Sequence, residues 1–193
     1  MEFYNKSCEV KEELENHDDM VHHLIKSSNL NLLEKLSYEK VSLDLDPLVF
    51  NNCKTLTVLH ISAVNLYLVD MQLICNNLLE LSQLSLIDCS LENETITFLC
   101  QNLTGKIKKL SINLNRELDP SGTSQYWRED QATSVTPDQI TVLGQTSPNL
   151  ENFYLEGEEY TLSESTLDAI IDNLRSLVNL RLPEYRGEYS KLV

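Results

Sequence analysis

Residues 81–91 read Leu81-Ser82-Gln83-Leu84-Ser85-Leu86-Ile87-Asp88-Cys89-Ser90-Leu91. The stretch follows L-x-x-L-x-L-x-x-N/C-x-L, a periodic unit built around one short strand. Alternate side chains of a strand point to opposite faces, so Leu84 and Leu86 share one face and Ser85 lies on the other. Weaker copies start at Leu33 (with Leu36 and Tyr38), Leu56 (Leu59, Ile61), Ile107 (Leu110, Ile112, Asn115), Leu150 (Phe153, Leu155) and Leu177 (Leu180, Leu182). Successive starts lie 23, 25, 26, 43 and 27 residues apart. The long interval carries about 17 residues beyond the usual period. They fall in Glu117–Val135, a polar stretch with Pro120, Gly122 and several Ser and Thr, which is loop chemistry.

Return segments between the strands carry helical signals. Met71, Ile74, Cys75 and Leu78 repeat at helical spacing after Asp70, and Ile96, Leu99, Cys100 and Leu103 do so after Glu94. Thr136-Pro137-Asp138-Gln139 reads as a helix start, with Thr as N-cap, Pro in the first turn and an acid near the positive end of the dipole. Ile140 and Leu143 follow as its buried face. Ser163-Glu164-Ser165-Thr166 opens another helix, with Leu167, Ile170, Ile171 and Leu174 expected inside. A shorter helix is expected from Asp46-Pro47. Strand and helix alternate, so the class is α/β with a parallel sheet. The unit resembles the leucine-rich repeat. About six such strand–helix repeats imply a right-handed solenoid with the sheet on its concave face. Residues 1–32 are expected to form an acidic arm and a capping helix around Met20, Val21, Leu24 and Ile25. Residues 33–193 are then the repeat domain, with an inserted loop at about 117–135.

Composition narrows the function. Of 193 residues, 41% are apolar and 23% charged, too apolar for disorder. The formal net charge of −15 repels nucleic-acid phosphates and anionic membrane and suits a basic protein partner. No apolar run is long enough to span a bilayer, and the acidic N-terminus lacks a signal-peptide core. A cytoplasmic or nuclear protein is expected. Five cysteines without regular spacing make a poor disulfide framework. Cys53, Cys75, Cys89 and Cys100 occupy positions that the repeat buries, where a thiol packs as a small hydrophobe. With no C-x-x-C pair, zinc is not expected.

Outward positions of the strands form the expected binding face. The third position of each unit reads Lys35, Val58, Gln83, Lys109, Asn152, Asn179, and the fifth reads Ser37, His60, Ser85, Ser111, Tyr154, Arg181. With the seventh and eighth positions, Lys35, Lys40, Lys109 and Arg181 stand against Glu39, Asp88, Glu156 and Glu184. The face is therefore formally neutral and the excess acid lies elsewhere. Candidate protein-binding residues are Lys35, Val58, His60, Gln83, Ser85, Lys109, Asn152, Tyr154 and Arg181, joined by Tyr126 and Trp127 of the inserted loop. Trp, Tyr and Arg dominate interface hot spots. Equally, Trp127 has a reading as the anchor that pins a long loop to the repeats.

Enzyme constellations are lacking. There is no Gly-rich phosphate loop and no G-x-S-x-G elbow. His22-His23 beside Asp18-Asp19 suggests a metal site, but adjacent side chains diverge on a helix. His60 with Ser85 has neither an orienting acid nor an oxyanion hole. A non-enzymatic module without cofactor or metal is expected; a hydrolase or metal enzyme is the distant alternative.

Residues 53–115 resemble the cysteine-containing leucine-rich repeats of F-box proteins, C-x-x-L-x-x-L-x-L-x-x-C. Cys53-Lys54-Thr55-Leu56-Thr57-Val58-Leu59-His60-Ile61 matches the first part and Leu84-Ser85-Leu86-Ile87-Asp88-Cys89 the second. The last two units lack these cysteines. The resemblance implies a concave face that selects a substrate for ubiquitin ligation. In that family a separate F-box domain binds the Skp adaptor, and residues 1–32 carry no F-box pattern. Stand-alone inhibitors or scaffolds, such as the ribonuclease-inhibitor and tropomodulin-like groups, share the generic repeat and are the alternative.

Overall fold

The computed structural model describes residues 7–10, 34–39, 53–62, 65–114, 135–157 and 162–183. They form the strands β1 (Ser7–Val10), β2 (Lys35–Glu39), β3 (Val58–Ser62), β4 (Asn65–Leu66), β5 (Gln83–Leu91), β6 (Lys109–Leu114), β7 (Asn152–Glu156) and β8 (Asn179–Arg181). The helices are α1 (Leu68–Asn77), α2 (Asn93–Asn102), α3 (Pro137–Thr146) and α4 (Glu164–Asn173). One open parallel sheet runs β1-β2-β3-β5-β6-β7-β8, with β4 pairing the far end of β5. Strand order follows chain order, and the helices pack in the same order, α1 on α2, α2 on α3 and α3 on α4. The architecture is thus α/β with a parallel sheet, as the alternation of signals implied.

Each unit is tied to the previous one by the same backbone bonds. The second-position carbonyls of Glu34, Thr57, Ser82, Lys108 and Glu151 each accept two N–H groups from the next unit. The donors are Thr57 and Val58, Ser82 and Gln83, Lys108 and Lys109, Glu151 and Asn152, and Val178 and Asn179, at 2.7–3.1 Å. A tight turn precedes β3, β5, β6, β7 and β8: Leu56, Leu81, Ile107, Leu150 and Leu177 donate to the carbonyl three residues back at 3.0–3.3 Å. A turn that closes on an apolar residue fixes the strand's facing, because a one-residue slip would turn every leucine outward. Leu59, Ile61, Leu84, Leu86, Leu110, Ile112, Phe153 and Leu155 are all buried.

Local chemistry starts and stops the helices. Thr136 Oγ1 accepts from Gln139 N at 3.3 Å while Gln139 Oε1 accepts from Thr136 N at 2.8 Å, a reciprocal cap with Pro137 at the first position. Ser163 Oγ accepts from Thr166 N at 3.1 Å to open α4. Before each N-cap sits a buried apolar residue, Leu66, Leu91, Val135 and Leu162. Asn77, Asn102 and Asn173 close their helices by donating Nδ2 to the carbonyl four residues back, at 2.9, 2.8 and 2.9 Å.

The insertion leaves the packing around it intact. Ten residues separate Leu81 from Leu91, whereas 28 separate Ile107 from Val135. Yet β6 pairs β7 directly, and Gln139 Nε2 donates to Thr97 Oγ1 of α2 at 2.8 Å. Thr146 Oγ1 likewise donates to Cys100 O at 2.7 Å.

Several expectations need adjustment. Residues 7–10, read as part of an acidic arm, form a strand in register with β2. The expected capping helix, the helix from Asp46 and the loop bearing Tyr126 and Trp127 lie outside the described residues. Helix α1 begins before Asp70, whose buried carboxylate accepts from Tyr67 N at 2.8 Å. Ile171 is not buried as expected but 55% exposed, and Leu180 is 42% exposed. Ile171 lies on the last described helix and Leu180 on the last described strand, whose outer sides meet no further unit among the described residues. Among the described residues no helix is long and apolar enough to cross a membrane.

Candidate functional site on the helix-free sheet face

Because every described pairing is parallel, and β5 keeps its register with β6 as far as Leu86, residues at the third and fifth positions of the repeat form rows across the sheet. Lys35, Val58, Gln83, Lys109, Asn152 and Asn179 are successive partners. So are Ser37, His60, Ser85, Ser111, Tyr154 and Arg181. Nine of the eleven expected binding residues therefore share one surface. Tyr126 and Trp127 lie outside the described residues.

The two rows are not uniform. Ser85 and Ser111 stand side by side between the larger His60 and Tyr154, so the fifth-position row dips into a notch. Its two walls are three strands apart, roughly 14 Å at the usual inter-strand spacing. Ser111 is the deepest member, 8% exposed, although its position is an outward one. Its small side chain lies between rows of longer ones and cannot rise above them. Half-buried Ile87 and Asn113 stand one step further along β5 and β6, beside the notch floor.

Beyond the notch the face is organised around Tyr154. Lys109 Nζ lies 5.4 Å from its ring centroid and the Arg181 guanidinium 5.5 Å from it. Both are within the range where a cation is attracted by an aromatic quadrupole. The two cations come from the strands on either side of β7. Arg181 Nη1 also pairs with Glu156 Oε1 at 3.1 Å, and Asn179 Nδ2 donates to Asn152 Oδ1 at 2.7 Å. Each residue is held by its neighbours from adjacent strands, which limits the side-chain entropy lost on contact with another molecule. Exposure of the Arg181 side chain, 70%, keeps the ion pair itself weak.

At the far end of β5 the backbone departs from regularity. Asp88 has φ 52°, and the pairing with β6 shifts between Leu86 and Cys89. Asp is among the few residues that adopt this left-handed conformation readily. Cys89 Sγ, buried, donates to Ile61 O at 3.6 Å and Ile87 O at 3.4 Å. The four expected core cysteines are all buried. Burial pushes the Cys75 and Cys100 thiols up to about 12. Such thiols are poor nucleophiles at neutral pH. Among the described residues no three His, Cys, Asp or Glu side chains are gathered where they could hold a metal ion.

The sequence singled out Tyr154, Lys109 and Arg181 one by one but not their stacking. That stacking was legible only through register, because Lys109 and Tyr154 are diagonal neighbours on adjacent strands. Glu156 was counted as a face charge, not as the partner of Arg181. Neither a model of a known protein family nor a curated protein matches this chain.

Proposed function

We propose that the chain is a non-enzymatic protein-binding module, a right-handed leucine-rich repeat solenoid whose concave face docks a protein partner. The observation that supports this best is the pair of in-register rows, which put His60, Ser85, Tyr154 and Arg181 on one pre-ordered surface. Aromatic and Arg anchors amid short polar side chains suit a protein interface. The face balances its own charges, so a partner is spared much of the repulsion of a −15 chain. Four buried cysteines, none in a disulfide, fit a reducing compartment, the cytoplasm or nucleus.

The specific form we propose is substrate selection for ubiquitin ligation. It rests on the likeness of Cys53–Ile61 and Leu84–Cys89 to the repeats of F-box proteins. Two experiments separate the layers of this reading. Cross-linking of the tagged protein to its captured partner should place the contacts on third- and fifth-position residues, and Tyr154→Ala/Arg181→Ala should lose the partner while its circular dichroism stays native. Retention of the partner by the folded double variant would move the interface off this face. Pull-down with the Skp adaptor addresses the ligation context alone, and absence of adaptor binding there would favour a stand-alone inhibitor or scaffold.

A further inference from the structure

We infer that the notch floored by Ser85 and Ser111 receives a carboxylate side chain from an acidic, extended segment of the partner, with the Lys109 ammonium as its counter-ion. The inference rests on the docking reading above and adds the chemistry of what is docked.

Lys106 pairs with Glu80, Lys108 with Glu151 at 3.2 Å and Arg181 with Glu156 at 3.1 Å. Among the described residues Lys35, Lys54, Lys109 and Arg175 have no carboxylate pairing with them, and of these it is the Lys109 ammonium that rests on the Tyr154 ring. A ring face holds a cation in place without neutralising it. Lys109 is also half-buried, so its charge is less screened by water than that of an exposed lysine. Among the described residues the position thus presents a ring-held positive charge with no carboxylate beside it, at the rim of the notch.

The floor supplies the rest. Two serine hydroxyls, neighbours in register, are free to turn their protons toward an anion. Asn113 adds an amide on the same face, and half-buried Ile87 gives aliphatic surface for the methylenes of an acidic side chain. A single ammonium with hydroxyl donors balances a singly charged carboxylate, whereas a phosphate of charge about −2 would leave excess negative charge there. An extended segment crossing the strands would meet a new fifth-position side chain about every 4.8 Å. The chain's net charge of −15 opposes this only weakly. On the face itself Glu156 is taken up by Arg181 and Asp88 lies at the far end of β5, while exposed acids such as Glu94, Asp138 and Asp168 sit on the helices, across the sheet from the notch and beyond about one Debye length at physiological salt.

The test uses amide NMR of the whole chain with three acetylated, amidated peptides: hexaglutamate, hexaglutamine and hexalysine. Hexaglutamate should move the amides of Ser85, Lys109, Ser111 and Tyr154, more at low salt than at high. Hexaglutamine and hexalysine should leave them in place. Lys109→Met, which keeps the stem over Tyr154, should weaken hexaglutamate binding by about tenfold or more, as loss of a charged hydrogen bond implies, and Lys109→Arg should restore most of it. Equal shifts with hexaglutamine, binding of hexalysine at these amides, or indifference to Lys109→Met would each overturn the inference. If hexaglutamate moves nothing here while partner capture still depends on Tyr154 and Arg181, the carboxylate inference fails and the docking reading stands. If capture ignores those residues too, both fail.

Discussion

Stacking one helix on the next is decided by a single residue. The eighth residue of each helix is Cys75, Cys100, Gly144 and Ile171 in chain order. The first two are buried small side chains. At Gly144 an added Cβ would lie 2.6 Å from Asn173 O and 2.9 Å from Asn173 Cβ, so α4 approaches α3 as closely as glycine allows. Gly144→Ala should therefore destabilise by about 1–3 kcal/mol in urea titration, although Ala is the better helix former by about 1 kcal/mol. Stabilisation by Ala would show that the helices part without cost. Ile171, at the same position on the last helix, is exposed, so Ile171→Ser should change stability by less than about 0.5 kcal/mol. The sequence alone marked Ile171 as core because helical spacing shows which face is apolar, not whether anything covers it. Cys75 and Cys100 carry a pH signature. Their thiols ionise near 9.0 when unfolded and near 12 when folded. The stability this reflects is fully present below pH 9 and is lost as pH rises through the folded values. Cys75→Ala/Cys100→Ala should flatten the alkaline limb of a stability–pH curve.

Elements were legible wherever leucine periodicity and cap chemistry agreed. Leu84 and Leu86 are fully buried, and Leu86→Ala should cost about 2–5 kcal/mol by chemical denaturation. Thr136→Ala should cost about 1 kcal/mol, since it removes one half of a reciprocal cap. Strand β1 escaped notice because Ser7-Cys8-Glu9-Val10 has no leucine, and only its register with Leu36 and Tyr38 reveals the alternation. The start of α1 was misplaced for a related reason. Asp70 has the look of a helix opener, but it serves from within the first turn, bonding back to Tyr67 N.

At the scale of the molecule, stability is a chain of neighbour terms, because each unit bonds to the one before it through the same carbonyl. Across the interval between Leu114 and Val135 β6 still meets β7, and α2 still meets α3. Replacing residues 117–134 by a short turn should leave the unfolding midpoint level or slightly higher, since each halving of a loop saves only about 0.6 kcal/mol. A marked fall would show that Trp127 anchors the repeats, and Trp127→Ala would then cost stability before it cost binding. The face was legible as two rows from period and register. The notch was not, because depth depends on the heights of neighbouring rows. Strand β8 bonds to β7, and its outer edge pairs with nothing else among the described residues. It is the rung from which fraying should begin, and its amides should exchange with solvent ahead of those of β5 and β6. Arg181, half of the clasp on Tyr154, rides on that rung. A ligand that grips Tyr154 and Arg181 together would close the fray as it binds, so occupancy would be written in the deuterium uptake of Asn179–Arg181.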